Sequence, residues 1–332
     1  MVRVAINGFG RIGRLAYRRI SEISNDIEVV AVNDLTDPAD LAYLLKYDTR
    51  QGRYDHEVEA KDDALVIDGK EVKVFSEMDA SNCPWGDLDI DIVLESTGHY
   101  TSAEKSQAHL NAGAKKVLIS APAKDDVTKM IVYGVNDDTL EASDKIISAA
   151  SCTTNCLAPV VNVLDKEFGV KVGNMATIHA FTATQALQDM PGGRKSRAAA
   201  DNIIPASTGA AKATGKVVPE VNGLVDGGAY RVPTITGSIV LFFAILKKNT
   251  TAEEINSAMK KYTTDSFKYT EDEIVSSDVI GYPAGSVFDA SQTKILEAED
   301  GTQLVQVASW YDNEAGFTSN MVRLLEKFGG QN

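Results

Sequence analysis

The 332 residues carry 47 acidic and 33 basic side chains, a net charge of −14, with 44% hydrophobic and 24% charged residues. That is an ordinary soluble composition, long enough for two domains with separate cores, and its acidity argues against nucleic acid as a partner. The densest apolar run, Ile239 to Leu246, falls far short of the roughly 20 residues that span a membrane. The N-terminal MVRVAINGFG lacks the apolar core of an export signal, and three cysteines cannot build a disulfide framework, so a reducing, cytoplasmic compartment is expected. In chain order, Val2 to Asn7 reads as a strand, Arg11 to Ile23 as a helix and Ile27 to Asn33 as a strand again. A hairpin is expected around Ile67 to Val72. Next come a short strand in Asp89 to Ser96, a helix over Ala103 to Ala112 closed by Gly113, and the strand KVLIS. This alternation predicts βαβ units and a parallel sheet.

The run KIISAA before Cys152 reads as a buried strand, and Leu157, Val160 or Val161, Leu164 and Phe168 after it recur at helical spacing. From Lys171 the strands lengthen and alternate: KVGNMATIHAF, GSIVLFFAILKK and TQLVQVASWY, the pattern of an antiparallel sheet. The final GFTSNMVRLLEKFG is amphipathic, with Phe317, Met321, Leu324, Leu325 and Phe328 on one face. The expected architecture is α/β. An N-terminal doubly wound, Rossmann-type domain covers residues 1–150, and an α+β catalytic domain with a mainly antiparallel sheet covers 151–315. The C-terminal helix, about 316–332, is expected to return to the first domain.

Gly8-x-Gly10-x-x-Gly13 falls between a strand and a helix, and Asp34 ends the next strand. In that context the glycines permit a tight turn, close approach of a pyrophosphate and helix–sheet packing, while the carboxylate suits ribose hydroxyls. The competing reading is a structural glycine turn with a surface aspartate. In the second half, Cys152 sits where strand passes to helix, where unpaired N–H groups and the helix dipole favour thiolate over thiol. A small buried hydrophobe is the alternative. Its partner base is His179, mid-strand on the face of Thr177 and Phe181, in preference to His99 in STGHYTS. His109 reads as solvated, Cys83 as an ordinary loop thiol and Cys156 as structural. Clustered basic residues Gly192 to Arg197 (GGRKSR) read as a solvated loop that also suits small phosphates. A nicotinamide cofactor with a reactive thiol suggests aldehyde oxidation through a thiohemiacetal and a thioester.

INGFGRIGR, SAASCTTNCLAPV, STGAAKA, YRVPT and WYDNEAGF, in this order, resemble the phosphorylating glyceraldehyde-3-phosphate dehydrogenases from end to end. The resemblance implies conversion of glyceraldehyde 3-phosphate and inorganic phosphate to 1,3-bisphosphoglycerate with reduction of NAD, in glycolysis or gluconeogenesis, by a homotetramer. It implies Cys152 as nucleophile and His179 as base. Arg11 and Ile12 would contact the pyrophosphate through their backbone, Asp34 the adenosine ribose, Ser120 the cofactor and Asn313 the nicotinamide carboxamide. Ser151, Thr153, Thr208 and Gly209, helped by Arg197, would take the attacking phosphate, and Thr182 and Arg231 the phosphate of the substrate. LQDMPGG matches a family loop that reaches a neighbouring subunit's adenosine. The chain departs from the family where Thr184 replaces the usual aspartate and Met78 a common arginine. Rival readings are an erythrose-4-phosphate dehydrogenase, and a cofactor-binding redox sensor without turnover. No metal ligands are assigned.

Overall fold

In a computed structural model, which describes residues 1–330, the chain divides into two compact units. One comprises Met1–Ile131, Asp137–Ala150 and the chain from Met321; the other comprises Val132–Asn136 and Ser151–Asn320.

The first unit contains β1 (Val2–Asn7), α1 (Arg11–Ile23), β2 (Ile27–Asn33), α2 (Pro38–Lys46), β3 (Val58–Lys61), β4 (Ala64–Ile67), β5 (Lys70–Phe75), β6 (Ile92–Glu95), α3 (Ala103–Asn111), β7 (Lys116–Ile119), β8 (Lys129–Met130) and β9 (Ile146–Ser148). The strands form one sheet in the order β3-β4-β5-β2-β1-β6-β7-β9-β8, parallel except for β3–β4 and β4–β5. Strands β6 and β7 are buried along their whole length, as a sheet covered on both faces requires. The β4–β5 hairpin turns at Asp68-Gly69, both with positive φ (49° and 77°), the conformation that matches strand twist. Helix α2 has no clear apolar stripe; it is set by the Asp37 carboxylate accepting from Ala39 N at 2.8 Å, with Pro38 at its first turn.

Strand order reverses between β1 and β6, so the carboxyl ends of these two strands flank the crevice where such sheets take ligands. Beneath that edge lies a buried polar network. Glu95 accepts from Asn7 Nδ2 (2.6 Å), from Thr97 N (2.8 Å), from the Thr97 hydroxyl and from His109 Nε2 (3.1 Å). Asn33 Nδ2 donates to Asn7 Oδ1 at 2.7 Å, and Trp85 Nε1 donates to His109 Nδ1 at 3.3 Å, which puts the ring proton on Nε2. Four donors satisfy a carboxylate that no water reaches, tying together the ends of β1, β2 and β6. His109 is thus fully buried rather than solvated, because the inner face of α3 packs on Glu95. Cys83 is likewise no loop-surface thiol. It packs with Trp85, Ile90 and Val93, and burial pushes its thiol up to about 12.

The second unit contains α4 (Cys152–Phe168), β10 (Val170–Ala180), β11 (Ile204–Ala206), α5 (Ala210–Val217), β12 (Val225–Val232), β13 (Ser238–Leu246), α6 (Ala252–Lys261), β14 (Phe267–Thr270), β15 (Ser286–Glu297), β16 (Gln303–Tyr311) and the start of α7 (Ala315–Gly329). Its sheet runs β11-β12-β10-β13-β16-β15-β14, with β10–β12 and β14–β15 parallel and the other pairs antiparallel. Burial alternates strictly along β13, one face packed and one half-open. Helix α4 packs over β13, β15 and β16. From Met321 onward α7 belongs to the first unit, where Lys116 Nζ donates to Phe328 O at 2.8 Å. Among the described residues no helix is long and apolar enough to cross a membrane.

Candidate active site

In the first unit the glycine loop is built as an anion cradle. Gly8 has φ +90°, and a Cβ there would meet Thr97 N at 2.8 Å; a Cβ on Gly13 would meet Gly8 O at 2.2 Å. Gly10 is the N-cap of α1, makes no side-chain cap bond and faces open space, and no acidic residue occupies the first turn. The helix terminus is therefore shaped for a negatively charged ligand approaching the backbone of Arg11 and Ile12. Arg11 itself clasps Asp48 with two bonds, 2.9 and 3.2 Å. Burial raises Asp48, but Arg11 and the N–H groups of Gln51 and Arg50 outweigh it and hold the carboxyl down to about 2.

Asp34 is fixed at the end of β2. Its Oδ2 accepts from Phe9 N (2.7 Å) and its Oδ1 from Thr36 N (2.9 Å), so the carboxylate is pinned against the glycine loop with lone pairs to spare. Ser120 follows β7, half-buried, its N–H on Glu95 O at 2.9 Å. The donor set of this edge, N–H groups at a helix terminus and a carboxylate at the next strand end, fits a dinucleotide. Met78 and Leu35 are exposed, and His99 is exposed on this unit.

The second unit brings the thiol and the imidazole together. Ser151 caps α4, its hydroxyl accepting from Thr154 N at 3.1 Å, which leaves Cys152 as the first helical residue. The preceding Ala150 has φ +59°, a left-handed backbone that costs a residue with a Cβ about 1 kcal/mol. Cys152 Sγ lies 3.4 Å from His179 Nε2. Parallel pairing of β10 with β12 sets His179 beside Arg231, whose Nη1 lies 2.5 Å from His179 Nδ1 and donates to Ala180 O at 3.1 Å. Nδ1 thus faces both a carbonyl at 2.6 Å, which can only accept, and a guanidinium, which can only donate; with hydrogen on Nδ1, bonded to Ala180 O, Nε2 faces the thiol as a base. Beneath the ring, Tyr311 packs edge-on at 5.9 Å, its hydroxyl bridging Thr153 (2.9 Å) and Thr177 (2.8 Å).

Electrostatics correct one expectation. Burial pushes the Cys152 thiol above its ordinary value, outweighing the Arg231 cation, the Thr153 hydroxyl and the N–H groups at the helix start. The helix terminus alone does not hold a thiolate here. Burial, and then the Arg231 charge, lower His179 from 6.5 to about 4 despite the Ala180 carbonyl. The resting pair is a neutral thiol facing a neutral imidazole, an arrangement for general-base activation of the nucleophile. Cys156, one turn on, is sealed in the core on Ser309 O (3.5 Å), its thiol pushed by burial to about 12.

The remaining candidates divide. Thr182 shares a turn with Thr184 and Gln185, hydroxyl to hydroxyl at 3.0 Å, with no carboxylate among them. Thr208 precedes Gly209, the N-cap of α5, and its hydroxyl accepts from Ala210 N at 3.2 Å, while Gly209 faces open space. The Thr208 hydroxyl uses one lone pair there, and that of Ser151 also meets the Thr154 hydroxyl at 2.8 Å. Arg197 is exposed and engaged by Asp189 at 2.8 Å. Asn313 is buried after β16, its Oδ1 accepting from Ser238 Oγ at 3.0 Å. Sequence reading gave no role to Ser238 and Tyr311, which stand at strand ends, Ser238 opening β13 and Tyr311 closing β16, where a polar side chain is commonplace.

A dinucleotide-type glycine loop in one unit and a cysteine–histidine pair in the other define a class, the nicotinamide-dependent dehydrogenases that work through a thiol. Residues 2–103 match the family model "Glyceraldehyde 3-phosphate dehydrogenase, NAD binding domain", and residues 151–313 match "Glyceraldehyde 3-phosphate dehydrogenase, C-terminal domain". Proteins named glyceraldehyde-3-phosphate dehydrogenase are similar over nearly their whole length. That of Lactobacillus delbrueckii subsp. bulgaricus is 59% identical over 335 residues, 98% of each chain. That of Clostridium pasteurianum is 57% identical over 332 residues, 99% of this chain and 98% of the relative. The chain belongs to the glyceraldehyde-3-phosphate dehydrogenase family, and its cofactor is NAD.

Proposed function

We propose that the chain oxidises glyceraldehyde 3-phosphate and phosphorylates it to 1,3-bisphosphoglycerate, with Cys152 as nucleophile and His179 as base. The observation that carries this reading is Cys152 Sγ, at the start of α4, 3.4 Å from Nε2 of the buried His179 on β10. His179 takes the thiol proton as sulfur bonds to the aldehyde carbon, and the thiohemiacetal forms. The same imidazole, once it has released that proton, takes the hydroxyl proton as the carbon is oxidised, leaving a thioester on Cys152. NAD supplies the hydride acceptor for that oxidation. Inorganic phosphate then attacks the thioester carbon and Cys152 leaves as thiolate, which the protonated imidazole stabilises.

Gly8, Gly10, Gly13, Arg11, Ile12, Asp34 and Ser120 would hold the adenosine and pyrophosphate, and Asn313 the nicotinamide. Arg231 and Thr182 suit the substrate's phosphate. Ser151, Thr153, Thr208, Gly209 and Arg197 suit the attacking one, Thr153 through its backbone, because its hydroxyl is on Tyr311. In this reading residues 1–150 with the C-terminal helix form the cofactor domain and 151–315 the catalytic domain. Cytoplasmic location and a homotetramer belong to the same reading.

The test is to follow NAD reduction with glyceraldehyde 3-phosphate, with and without inorganic phosphate. Multiple turnovers that require phosphate are expected. A preference for erythrose 4-phosphate without phosphate, or binding of NAD without turnover, would overturn the reading.

Asp34 should also exclude NADP. Pinned by Phe9 N and Thr36 N, it would set a carboxylate against a 2′-phosphate, and the next residue, Leu35, is uncharged. A like-charge contact in a partly solvated site costs on the order of 1 kcal/mol or more, a tenfold effect or greater. The kcat/KM ratio of NAD to NADP is therefore expected to fall at least roughly tenfold in Asp34→Ala; an unchanged ratio refutes the role.

A further inference from the structure

Ser238 touches none of the reacting groups, yet it links two residues on which the proposed function relies. It opens β13 and is 1% exposed. Its Oγ accepts from the N–H of Ala180, the residue after His179, at 3.1 Å, and donates to Asn313 Oδ1 at 3.0 Å. Register explains both bonds. Pairing of β10 with β13 ends at Ile178 opposite Ile239, so the Ala180 N–H lies beyond the ladder and takes a side chain as its acceptor. On the other edge Ser238 lies opposite Tyr311, two residues before Asn313.

The direction of the bonds follows from proton count. A backbone N–H can only donate, so Oγ accepts from Ala180, and the one hydroxyl proton goes to Oδ1 of Asn313. The Thr236 hydroxyl adds a longer contact to the same oxygen, 3.3 Å, while its shorter bond, 2.7 Å, goes to Asp312. With Oδ1 committed to hydroxyl donors, the amide of Asn313 is oriented to offer its NH2, a donor matched to a carboxamide carbonyl.

We propose that Ser238 is a positioning residue: it fixes which end of the Asn313 amide meets the nicotinamide and ties that amide to the strand end carrying His179. This rests on the functional reading above. It predicts a defect confined to the nicotinamide end of the cofactor, which general loss of packing would not produce.

The experiment compares binding of NAD with that of ADP-ribose, which lacks the nicotinamide, by calorimetry. In Ser238→Ala, NAD affinity is expected to fall about tenfold, the scale of a lost buried hydrogen bond with its partner stranded. ADP-ribose should stay within roughly twofold, and Ser238→Thr, which keeps the hydroxyl, should restore the NAD preference. On an Asn313→Ala background, Ser238→Ala should no longer change the ratio. If Ser238→Ala loses ADP-ribose binding through misfolding, Ser238→Cys, similar in size but a weak donor, carries the same comparison. Equal change for both ligands, no change for either, or a ratio shift that persists without Asn313 overturns the proposal. A wild-type chain that reduces NAD while giving any of these results loses only the Ser238 role, whereas one that never reduces NAD defeats the functional reading and this proposal with it.

Discussion

Cys152→Ser is expected to abolish turnover, a loss of roughly 10⁴-fold or more, while Cys156→Ser keeps most of the wild-type rate. The two thiols lie one helical turn apart, but their surroundings differ in kind. Cys152 is half-buried with His179 Nε2 at 3.4 Å, so its proton has somewhere to go. Cys156 is fully buried, faces Ser309 O at 3.5 Å and Ser286 Oγ at 3.7 Å, and has its thiol pushed to about 12. A serine hydroxyl at 152 is a far poorer nucleophile than sulfur and has no thiolate state to draw on. At 156 a hydroxyl still finds Ser309 O and Ser286, so the cost falls on stability, about 1 kcal/mol for a slightly smaller buried group. Steady-state rates together with the stoichiometry of iodoacetamide labelling check this. Equal losses in the two variants would sink the assignment of Cys152.

What could be read from the chain was local. The strand–loop–helix–strand run from Val2 to Asp34 emerges from short apolar periods and glycine placement, and the structure puts β1, α1 and β2 on those residues. The β4–β5 hairpin follows from Asp68-Gly69. Helix α2 escaped because Tyr43 and Leu44 on it are exposed, which blurs the apolar stripe. His109 and Cys83 were misjudged for a tertiary reason: polar neighbours in sequence say nothing of Glu95 or Trp85, which come to them from other elements. The site shows the same division. Cysteine at a helix start is visible in sequence; Arg231 beside His179 is not, because it depends on parallel pairing of β10 with β12 across about fifty residues. Burial decides the sign of both ionisations, with Arg231 reinforcing it at His179 and opposing it at Cys152, so a rule for exposed helix termini gave the wrong direction for Cys152.

His179→Asn is expected to slow turnover by roughly 10²–10⁴-fold, the usual scale for a lost positioned base. Asparagine keeps a polar group near Ala180 O and Arg231 but cannot take the thiol proton. Since burial already disfavours the thiolate, removing the base should leave Cys152 less reactive: its alkylation at neutral pH slows and the midpoint of its pH profile rises. Stability should respond in the opposite way at acid pH. Held down to about 4 from 6.5 by burial and Arg231, His179 binds fewer protons folded than unfolded between those values. Its contribution is therefore whole above pH 6.5 and is lost as pH falls through about 4, a swing on the order of 3 kcal/mol. His179→Asn removes that swing, so the variant's stability should fall less steeply than the wild type's between pH 6.5 and 4. Denaturant melts across that range and alkylation profiles read the two effects separately. Were His99→Asn, at an exposed position on the other unit, to produce the rate loss and the shifted thiol profile instead, the base would have been assigned to the wrong histidine.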